Sequence, residues 1–248
     1  MDVTIYIVVM LLAAMSGLTT VLGVLLAVYV SRSENWISVG IGFSVGIMLL
    51  ISLLELIPGS LAIAKISSVL VAVGFGAISI GVLHFVIPHT HLFKERGIID
   101  PKYFRTAYLV SFGLILHDFP EGFAMANSYI AAPSLGIAVA LAIALHNIPE
   151  EFAMAVPVVA TRSRAFLFRA AIISGLAEPI GAAIGLFAAS ANPDLVPIFM
   201  AFAAGAMIFV SVHELVPMAR RYGRPSLFGL GMAASAIVYI LLSIVVPE

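Results

Sequence analysis

Residues 113–126 read GLILHDFPEGFAMA and residues 142–155 read AIALHNIPEEFAMA, with eight of fourteen positions identical. Each stretch places a His four residues before a Glu and a Pro directly before that Glu. Side chains four residues apart share one face of a helix, so each stretch predicts a helix that presents His and Glu together. Adjacent helices that cross a membrane run antiparallel, and the two stretches therefore predict an inverted repeat.

The composition around these stretches is that of a membrane protein. Of the 248 residues, 62% are apolar and 10% are charged, a ratio that a water-soluble domain of this length does not tolerate on its surface. There is no Cys, which excludes disulfides, thiolate ligands and a thiol nucleophile. The first apolar stretch begins within a few residues of Met1 without a basic leader, so we interpret it as a retained helix.

Eight segments meet the requirement for a membrane helix of about 20 mainly apolar residues. We number them 1 to 8, and they span residues 3–31, 34–60, 66–88, 103–129, 135–161, 165–191, 193–219 and 224–247. The longest connection, residues 89–102, is too short for a soluble domain. The sequence therefore predicts one all-α transmembrane domain over residues 1–248.

The basic residues predict the orientation of this domain. Eleven of the twelve Lys and Arg residues lie at joints that follow odd-numbered segments, and Lys65 lies at the other side. Basic residues in short loops are retained on the cytoplasmic side. We therefore expect both termini outside the cytoplasm and residues 89–102 in a cytoplasmic loop.

A second repeat joins the two ends of the chain. Residues 46–58, GIMLLISLLELIP, match residues 205–217, GAMIFVSVHELVP, with Gly, Met, Ser, Glu, Leu and Pro in common. Ser16-Gly17-Leu18 in segment 1 matches Ser174-Gly175-Leu176 in segment 6. Five crossings separate the members of each pair, which predicts that segments 1–3 are inverted relative to segments 6–8. Inverted repeats around a midplane site are the architecture of alternating-access transporters.

Ten ionisable side chains lie at least five residues from the ends of the segments, where an ionised group costs at least about 2.5 kcal/mol. They are Glu55, Asp118, Glu121, Glu150, Glu151, Glu178, Glu214, His117, His146 and His213. No Lys or Arg lies deep enough to neutralise them, so the counter-charge must come from outside the chain. Imidazole and carboxylate suit Zn²⁺ and would accept Fe²⁺ or Mn²⁺. Four carboxylates at similar depth balance two divalent ions, which favours a two-metal centre.

These motifs, in this order, resemble the ZIP (Zrt-/Irt-like) metal transporters, and look most like the bacterial zinc-uptake branch that includes the GufA-like proteins. The resemblance lies in HDFPEG (117–122), HNIPEE (146–151), Ala177-Glu178-Pro179 and the Glu-x-x-Pro of segments 2 and 7. It implies a 3+2+3 helix arrangement, zinc uptake across the cell inner membrane, and a binuclear centre on helices 4, 5 and 6. By position, it implies one metal held by His117, Glu121, His146 and Glu150, and a second held by Asp118, Asn147 and Glu178, with Glu121 or Glu150 bridging.

Two positions depart from the family pattern. Asp118 stands where the family usually has Asn, which adds a negative charge at the second metal position. Glu151 stands where the family usually has Gly, and its side chain points about 100° away from that of Glu150 on an ideal helix. Glu151 is therefore a candidate for the transport pathway, for carrying a proton, or for contact with a neighbouring helix. Zinc is the expected substrate, with Fe²⁺, Mn²⁺ and Cd²⁺ as further candidates.

Other polar residues are candidates for the path of the ion. The predicted topology places Glu55 toward the outside and His213 with Glu214 toward the cytoplasm, one acid on each side of the centre. The alternative is that both glutamates only cap polar groups freed by the prolines that follow them. His89 and His91 form a candidate metal site in the loop, or belong to a solvated segment. His84 is expected to be a satisfied interfacial histidine.

Two rival functions share part of these features. A metal-conducting channel would use the same residues as a carrier. An intramembrane zinc-dependent hydrolase is disfavoured because the sequence has no His-Glu-x-x-His motif and because catalysis needs distinct acid and base groups rather than duplicated ligands. We expect a transporter and not an enzyme. The expected partners are divalent metal ions, the lipid bilayer and a second copy of the chain in a homodimer, with no nucleic acid.

Overall fold

The computed structural model describes residues 2–29, 33–86, 102–159 and 164–246, and within these ranges it contains helices and no strand. We number the helices in chain order. They are α1 (Val3–Tyr29), α2 (Glu34–Ile63), α3 (Ile66–Val86), α4 (Lys102–Ala131), α5 (Pro133–Val159), α6 in two parts (Arg164–Gly175 and Ala177–Ala191), α7 (Pro193–Arg221) and α8 (Pro225–Val245). His89 and His91 lie outside the described residues, so the predicted loop site remains a prediction.

Seven of these helices are long and apolar enough to cross a bilayer, with mean hydropathies between 1.3 and 2.4. The eighth is α4, whose side chains are described from His117 onward. Large apolar side chains such as Val71 (72% exposed) and Phe187 (73% exposed) cover the outer surface, as expected where lipid surrounds the protein. The chain is thus an all-α, multi-pass integral membrane protein, as predicted. The exact 3+2+3 arrangement stays a prediction.

Both α2 and α7 contain a π-helical turn at the repeat motif. The turns span Ser52–Leu56 and Ser211–Leu215 and contain Glu55 and Glu214. A Pro follows each turn two residues later, and Pro cannot donate the backbone hydrogen bond that continues a regular helix. π-Turns within α-helices are frequent at functional sites. The two matched acids therefore lie where their helices depart from regular geometry.

Helices approach each other closely at glycines that are matched positions of the second repeat. Gly17 of α1 and Gly175 of α6 pack backbone to backbone, and a Cβ on Gly17 would collide with the carbonyl of Gly175. Gly23 of α1 packs on α5, where a Cβ would lie 2.6 Å from the Ile148 carbonyl oxygen. On the other side, Gly181 of α6 packs on the corresponding carbonyl of α4. Small residues at such crossings allow membrane helices to approach closely.

The remaining helix contacts are related in the same way. α2 packs on α8 and α7 packs on α3, while α4 and α5 contact each other at the centre. Each contact of the first three helices thus has a counterpart in the last three, as an inverted repeat requires. Residues from both repeats surround α4 and α5, which carry the candidate metal ligands.

Replacing Gly17 with Ala is expected to destabilise the protein, because the new methyl group collides with backbone rather than with a side chain that can move. Overpacking of this kind typically costs about 1 to 3 kcal/mol. Gly74 of α3 is the matched control, since no atom of a neighbouring helix lies within 4 Å of its Cβ position among the residues that the structure describes. Thermal unfolding in detergent, followed by size-exclusion chromatography, should show a lower midpoint for Gly17→Ala and no loss for Gly74→Ala. An unchanged midpoint for Gly17→Ala would contradict this packing.

Candidate metal centre

Three predicted ligands meet where α4 packs on α5. The Nε2 atom of His146 lies 3.2 Å from Oε1 of Glu121 and 3.8 Å from Oε2 of Glu150. One donor atom from each residue lies within 4.8 Å of the others, and all three residues are buried. Donors around a tetrahedral zinc ion lie about 3.4 Å apart, since each is about 2.1 Å from the ion. This trio, Glu121, His146 and Glu150, therefore needs only a small contraction to hold one ion.

The orientation of His146 suits metal binding. Its Nδ1 atom lies 3.0 Å from the Ala142 carbonyl oxygen, four residues earlier in α5. A carbonyl can only accept, so Nδ1 carries the proton and the lone pair of Nε2 faces the two carboxylates. Metal-ligating histidines usually donate their second ring nitrogen in this way. The Ser44 hydroxyl also donates to the His146 carbonyl at 3.0 Å, which fixes α5 against α2.

Buried carboxylate oxygens concentrate around this trio. Within the described residues, one oxygen atom of each of four glutamates is buried and accepts no hydrogen bond. The four are Glu121, Glu150, Glu151 and Glu178. A buried polar atom without a partner is costly, and a carboxylate can only accept when it is ionised. A cation is the partner that satisfies several such oxygens together.

The residues predicted for a second ion lie beside the trio. The Asn147 side chain donates to Oε1 of Glu178 at 2.6 Å, and Glu178 is fully buried. The Ser174 hydroxyl donates to Oδ2 of Asp118 at 2.7 Å. α4, α5 and α6 thus each contribute a polar side chain to this second group.

Two serines and a threonine, none of them part of a predicted ligand motif, complete the surroundings. Asn147 also donates to the hydroxyls of Ser16 and Thr20, at 3.3 Å in both cases. The contact between Ser16 and Asn147 mirrors the contact between Ser174 and Asp118. Ser16 and Ser174 are matched positions of the second repeat, the one that joins the two ends of the chain, so this repeat carried the signal that could have identified them.

His117 contacts an acid on α7. Its Nε2 atom lies 3.2 Å from Oε2 of Glu214, on α7. The other oxygen of Glu214 lies 2.9 Å from Nδ1 of His84, and the ring of His213 is centred 5.4 Å from the ring of His84. We call His84, His117, His213 and Glu214 the Glu214 cluster. His84, predicted to be a satisfied interfacial histidine, is only 8% exposed. The only feature of the sequence that could have indicated a role for His84 is the presence of a His near the end of an apolar segment.

The other two candidates, Glu55 and Glu151, are not members of the trio. Glu55 accepts a hydrogen bond of 2.6 Å from the Tyr239 hydroxyl of α8, a residue that the sequence analysis did not single out. Glu151 is buried against α1, where its Cβ lies 2.6 Å from the Cβ position of Gly23. Its repeat partner Gly122 packs instead on the Glu178 backbone, where a Cβ would collide. A side chain larger than Gly therefore fits at 151 but not at 122.

Known proteins are similar to this chain over most of its length. Residues 89–244 match the family described as ZIP Zinc transporter. The chain is 38% identical over 224 residues to "Zinc transporter ZupT" of Escherichia fergusonii, an alignment that covers 85% of this chain and 86% of that protein. Proteins of the same name from Shigella flexneri serotype 5b and Escherichia coli O7:K1 are 37% identical over the same length.

Proposed function

This chain belongs to the ZIP family of zinc transporters, and we propose that it carries divalent metal ions, chiefly zinc, into the cytoplasm. As a member of this family it is a transporter and not an enzyme. The observation that carries the proposal is the buried trio Glu121, His146 and Glu150, whose donor atoms lie within 4.8 Å of one another. Nitrogen and oxygen donors of this kind suit zinc. The names of the relatives support zinc as the substrate.

The trio is the core of the first metal site in this proposal, and His117 is its fourth ligand. His117 lies on the face of α4 that carries Glu121, and its side chain now contacts Glu214. A change of side-chain rotamer would take His117 from the Glu214 cluster to the trio. His117 would then hand the ion from one group to the other.

A second ion is proposed to bind Asp118, Asn147 and Glu178, with Glu121 or Glu150 shared between the two sites. The charge balance supports this assignment, since the four carboxylates of the two sites match two divalent ions. Fe²⁺, Mn²⁺ and Cd²⁺ are proposed as further substrates because the same donors accept them.

The path is proposed to run between the two matched acids. Both termini lie outside the cytoplasm in this proposal, and the protein resides in the cell inner membrane. Glu55 then lies on the outer side and the Glu214 cluster on the cytoplasmic side. Glu151, His89 and His91 are proposed to act along this path, and a homodimer is the proposed assembly. The distribution of basic residues supports the orientation.

The proposed function can be tested with the purified full chain in proteoliposomes. Zinc flux should be saturable, and a series of Fe²⁺, Mn²⁺ and Cd²⁺ should compete with it. Imposed gradients of pH and voltage then separate coupled from facilitated transport. Flux that rises linearly with zinc concentration would favour the metal-conducting channel. The absence of any metal flux from correctly folded protein would contradict the proposal.

Replacing Asp118 with Asn is expected to weaken the second site first, because it removes a charge without changing the shape of the side chain. Calorimetric titration with zinc should show one high-affinity ion retained and the other lost. Ser128→Ala is the matched control on the same buried helix, since the Ser128 hydroxyl donates at 2.7 Å to the Ala124 carbonyl of its own helix. The assignment of Asp118 is wrong if Asp118→Asn loses both ions or keeps both.

A further inference from the structure

A cavity of about 270 Å³ lies among α2, α5 and α8, at the end of the molecule where α2 ends and α5 begins. It extends along α5 from Ser134 to Ala142, about 12 Å of helical rise. The Ala142 carbonyl accepts the hydrogen bond that orients His146. The floor of the cavity therefore lies about one helical turn from the trio.

The lining of this cavity carries a single charged group. Glu55 is its only carboxylate, and the lining residues, which all belong to the described part of the chain, include no Lys, Arg or His. The other polar groups are the hydroxyls of Ser134, Tyr239 and Ser243. A site that offers oxygen atoms and one negative charge attracts cations. It lacks the three or four converging protein ligands that bind zinc directly.

The volume of the cavity suits an ion that keeps its water. One water molecule occupies about 30 Å³ in the liquid, so six water molecules around a divalent ion occupy about 180 Å³. The cavity of about 270 Å³ accommodates such a complex. Water ligands can then hydrogen-bond to the carboxylate and the hydroxyls, as they do around ions that give up water reluctantly.

Tyr239 fixes the carboxylate in this cavity. Its hydroxyl donates to Oε1 of Glu55 at 2.6 Å, the length of a charge-assisted hydrogen bond. Glu55 belongs to the π-turn of α2, whereas Tyr239 belongs to α8, in the opposite repeat. The second oxygen of Glu55 accepts no hydrogen bond from the described residues, which leaves it available to water ligands of an ion.

We propose that this cavity binds the divalent ion with its hydration shell intact, and that Tyr239 is a positioning residue that holds the Glu55 carboxylate toward it. The inference rests on the proposed function and adds an outer binding site to it. Zinc then exchanges water for protein ligands at the trio, one turn deeper. The cavity raises the local concentration of cations, while the choice among metals falls to the trio.

Kinetics of zinc uptake by proteoliposomes test the role of Glu55 and Tyr239. Glu55→Gln is expected to raise the KM for zinc about tenfold, since a focused charge raises local ion concentration by at least about that factor. Tyr239→Phe should raise KM about threefold, as expected for loss of one hydrogen bond. Both variants should keep the maximal rate, because the trio is unchanged. A variant that is only misfolded or less stable would lower the maximal rate and leave KM unchanged.

The double variant shows whether Tyr239 acts through Glu55. Coupled residues give non-additive effects, so Tyr239→Phe should have no effect on KM once Glu55 is replaced with Gln. Tyr6→Phe is a control on α1, which does not line the cavity. A full effect of Tyr239→Phe in the Glu55→Gln background would overturn its positioning role.

An inert complex tests whether the ion stays hydrated. Hexaamminecobalt(III) resembles a hydrated metal ion in size, and it exchanges its ligands too slowly to bind protein donors directly. Added on the Glu55 side, it should inhibit zinc uptake by the wild-type protein through competition with zinc. Most of this inhibition should be lost in the Glu55→Gln variant. No inhibition of the wild-type protein at millimolar concentrations would overturn the proposed binding of a hydrated ion.

The outcomes also separate this inference from the proposed function. Normal zinc uptake by the wild-type protein, together with an unchanged KM in both Glu55→Gln and Tyr239→Phe, would contradict the outer site and leave the proposed function intact. A wild-type protein that carries no zinc in the same vesicles would contradict the proposed function, and the inference with it. A raised KM in both variants, an unchanged maximal rate and competition by the inert complex are the results expected.

Discussion

Replacing Glu121 with Gln is expected to lower zinc uptake by proteoliposomes at least about 100-fold. Glu121 is buried and lies 3.2 Å from His146, so it supplies negative charge within the proposed metal site. An uncompensated charge at this depth costs about 3 kcal/mol, and each 1.4 kcal/mol is about a factor of ten. Initial rates measured with a zinc indicator inside the vesicles give the comparison.

Gln has the shape of Glu, so this substitution changes charge with little change in packing. Glu34→Gln is the matched control, because Glu34 is exposed and pairs with Arg224 at 3.4 Å on the surface. Exposed pairs of this kind contribute little to stability, and uptake should stay near the wild-type rate. Uptake by Glu121→Gln within about threefold of the wild type would contradict a role for this carboxylate in transport. Zinc titration of the same protein should show the loss of binding directly.

The helices could be predicted from the sequence because apolar length is a local property. Segment 8, predicted at 224–247, is a helix over Pro225–Val245, and segment 1, predicted at 3–31, is described as a helix over Val3–Tyr29. The end of segment 2 was predicted at residue 60, whereas the helix continues to Ile63. The π-turn inside it differs from an α-helix in its backbone hydrogen bonds and not in its average hydropathy, so the apolar pattern could not show the turn.

The trio could be predicted because its geometry depends on helix periodicity and on one repeat. Spacing of four residues placed His146 and Glu150 on one face, and the repeat brought Glu121 to the same depth from α4. Its identity as a ligand set stays a prediction.

The Glu214 cluster could not be predicted from helix periodicity. Helix periodicity places His117 on the face of Glu121, yet its side chain contacts Glu214 of α7. The rotamer of a side chain and the identity of the helix packed beside it depend on contacts between residues distant in the chain. The spacing of residues within one helix gives no information on such contacts. The same holds for His84 and for Tyr239. Each contacts an acid more than 100 residues away in sequence.

Thiols placed at positions 55 and 214 are expected to be reached from opposite sides of the membrane. The two acids are partners in the inverted repeat, and each lies in a π-turn of its helix. Glu55 lines the cavity at the end of α2, which the predicted topology places outside the cytoplasm. Single Glu55→Cys and Glu214→Cys variants can be labelled cleanly, because the chain has no Cys.

An impermeant maleimide applied to whole cells should therefore label position 55 but not position 214, and inverted membrane vesicles should show the reverse. Lys65→Cys, between α2 and α3, and Arg221→Cys, at the end of α7, are matched controls for the outer and inner surfaces. Zinc present during labelling should protect both test positions and neither control, since an ion on the path occupies the same space as the reagent.

The pattern of labelling decides between a transport path and a structural role for the two acids. Labelling of position 55 only from the cytoplasm, or of position 214 only from outside, would contradict the inverted path, provided that the two controls report the expected sides. Absence of labelling from either side would instead favour glutamates that cap polar groups freed by Pro58 and Pro217, because such groups lie within the helix contacts and not on a path for ions. Labelling from the expected sides, together with protection by zinc, would show that both positions are accessible to water and to the metal ion.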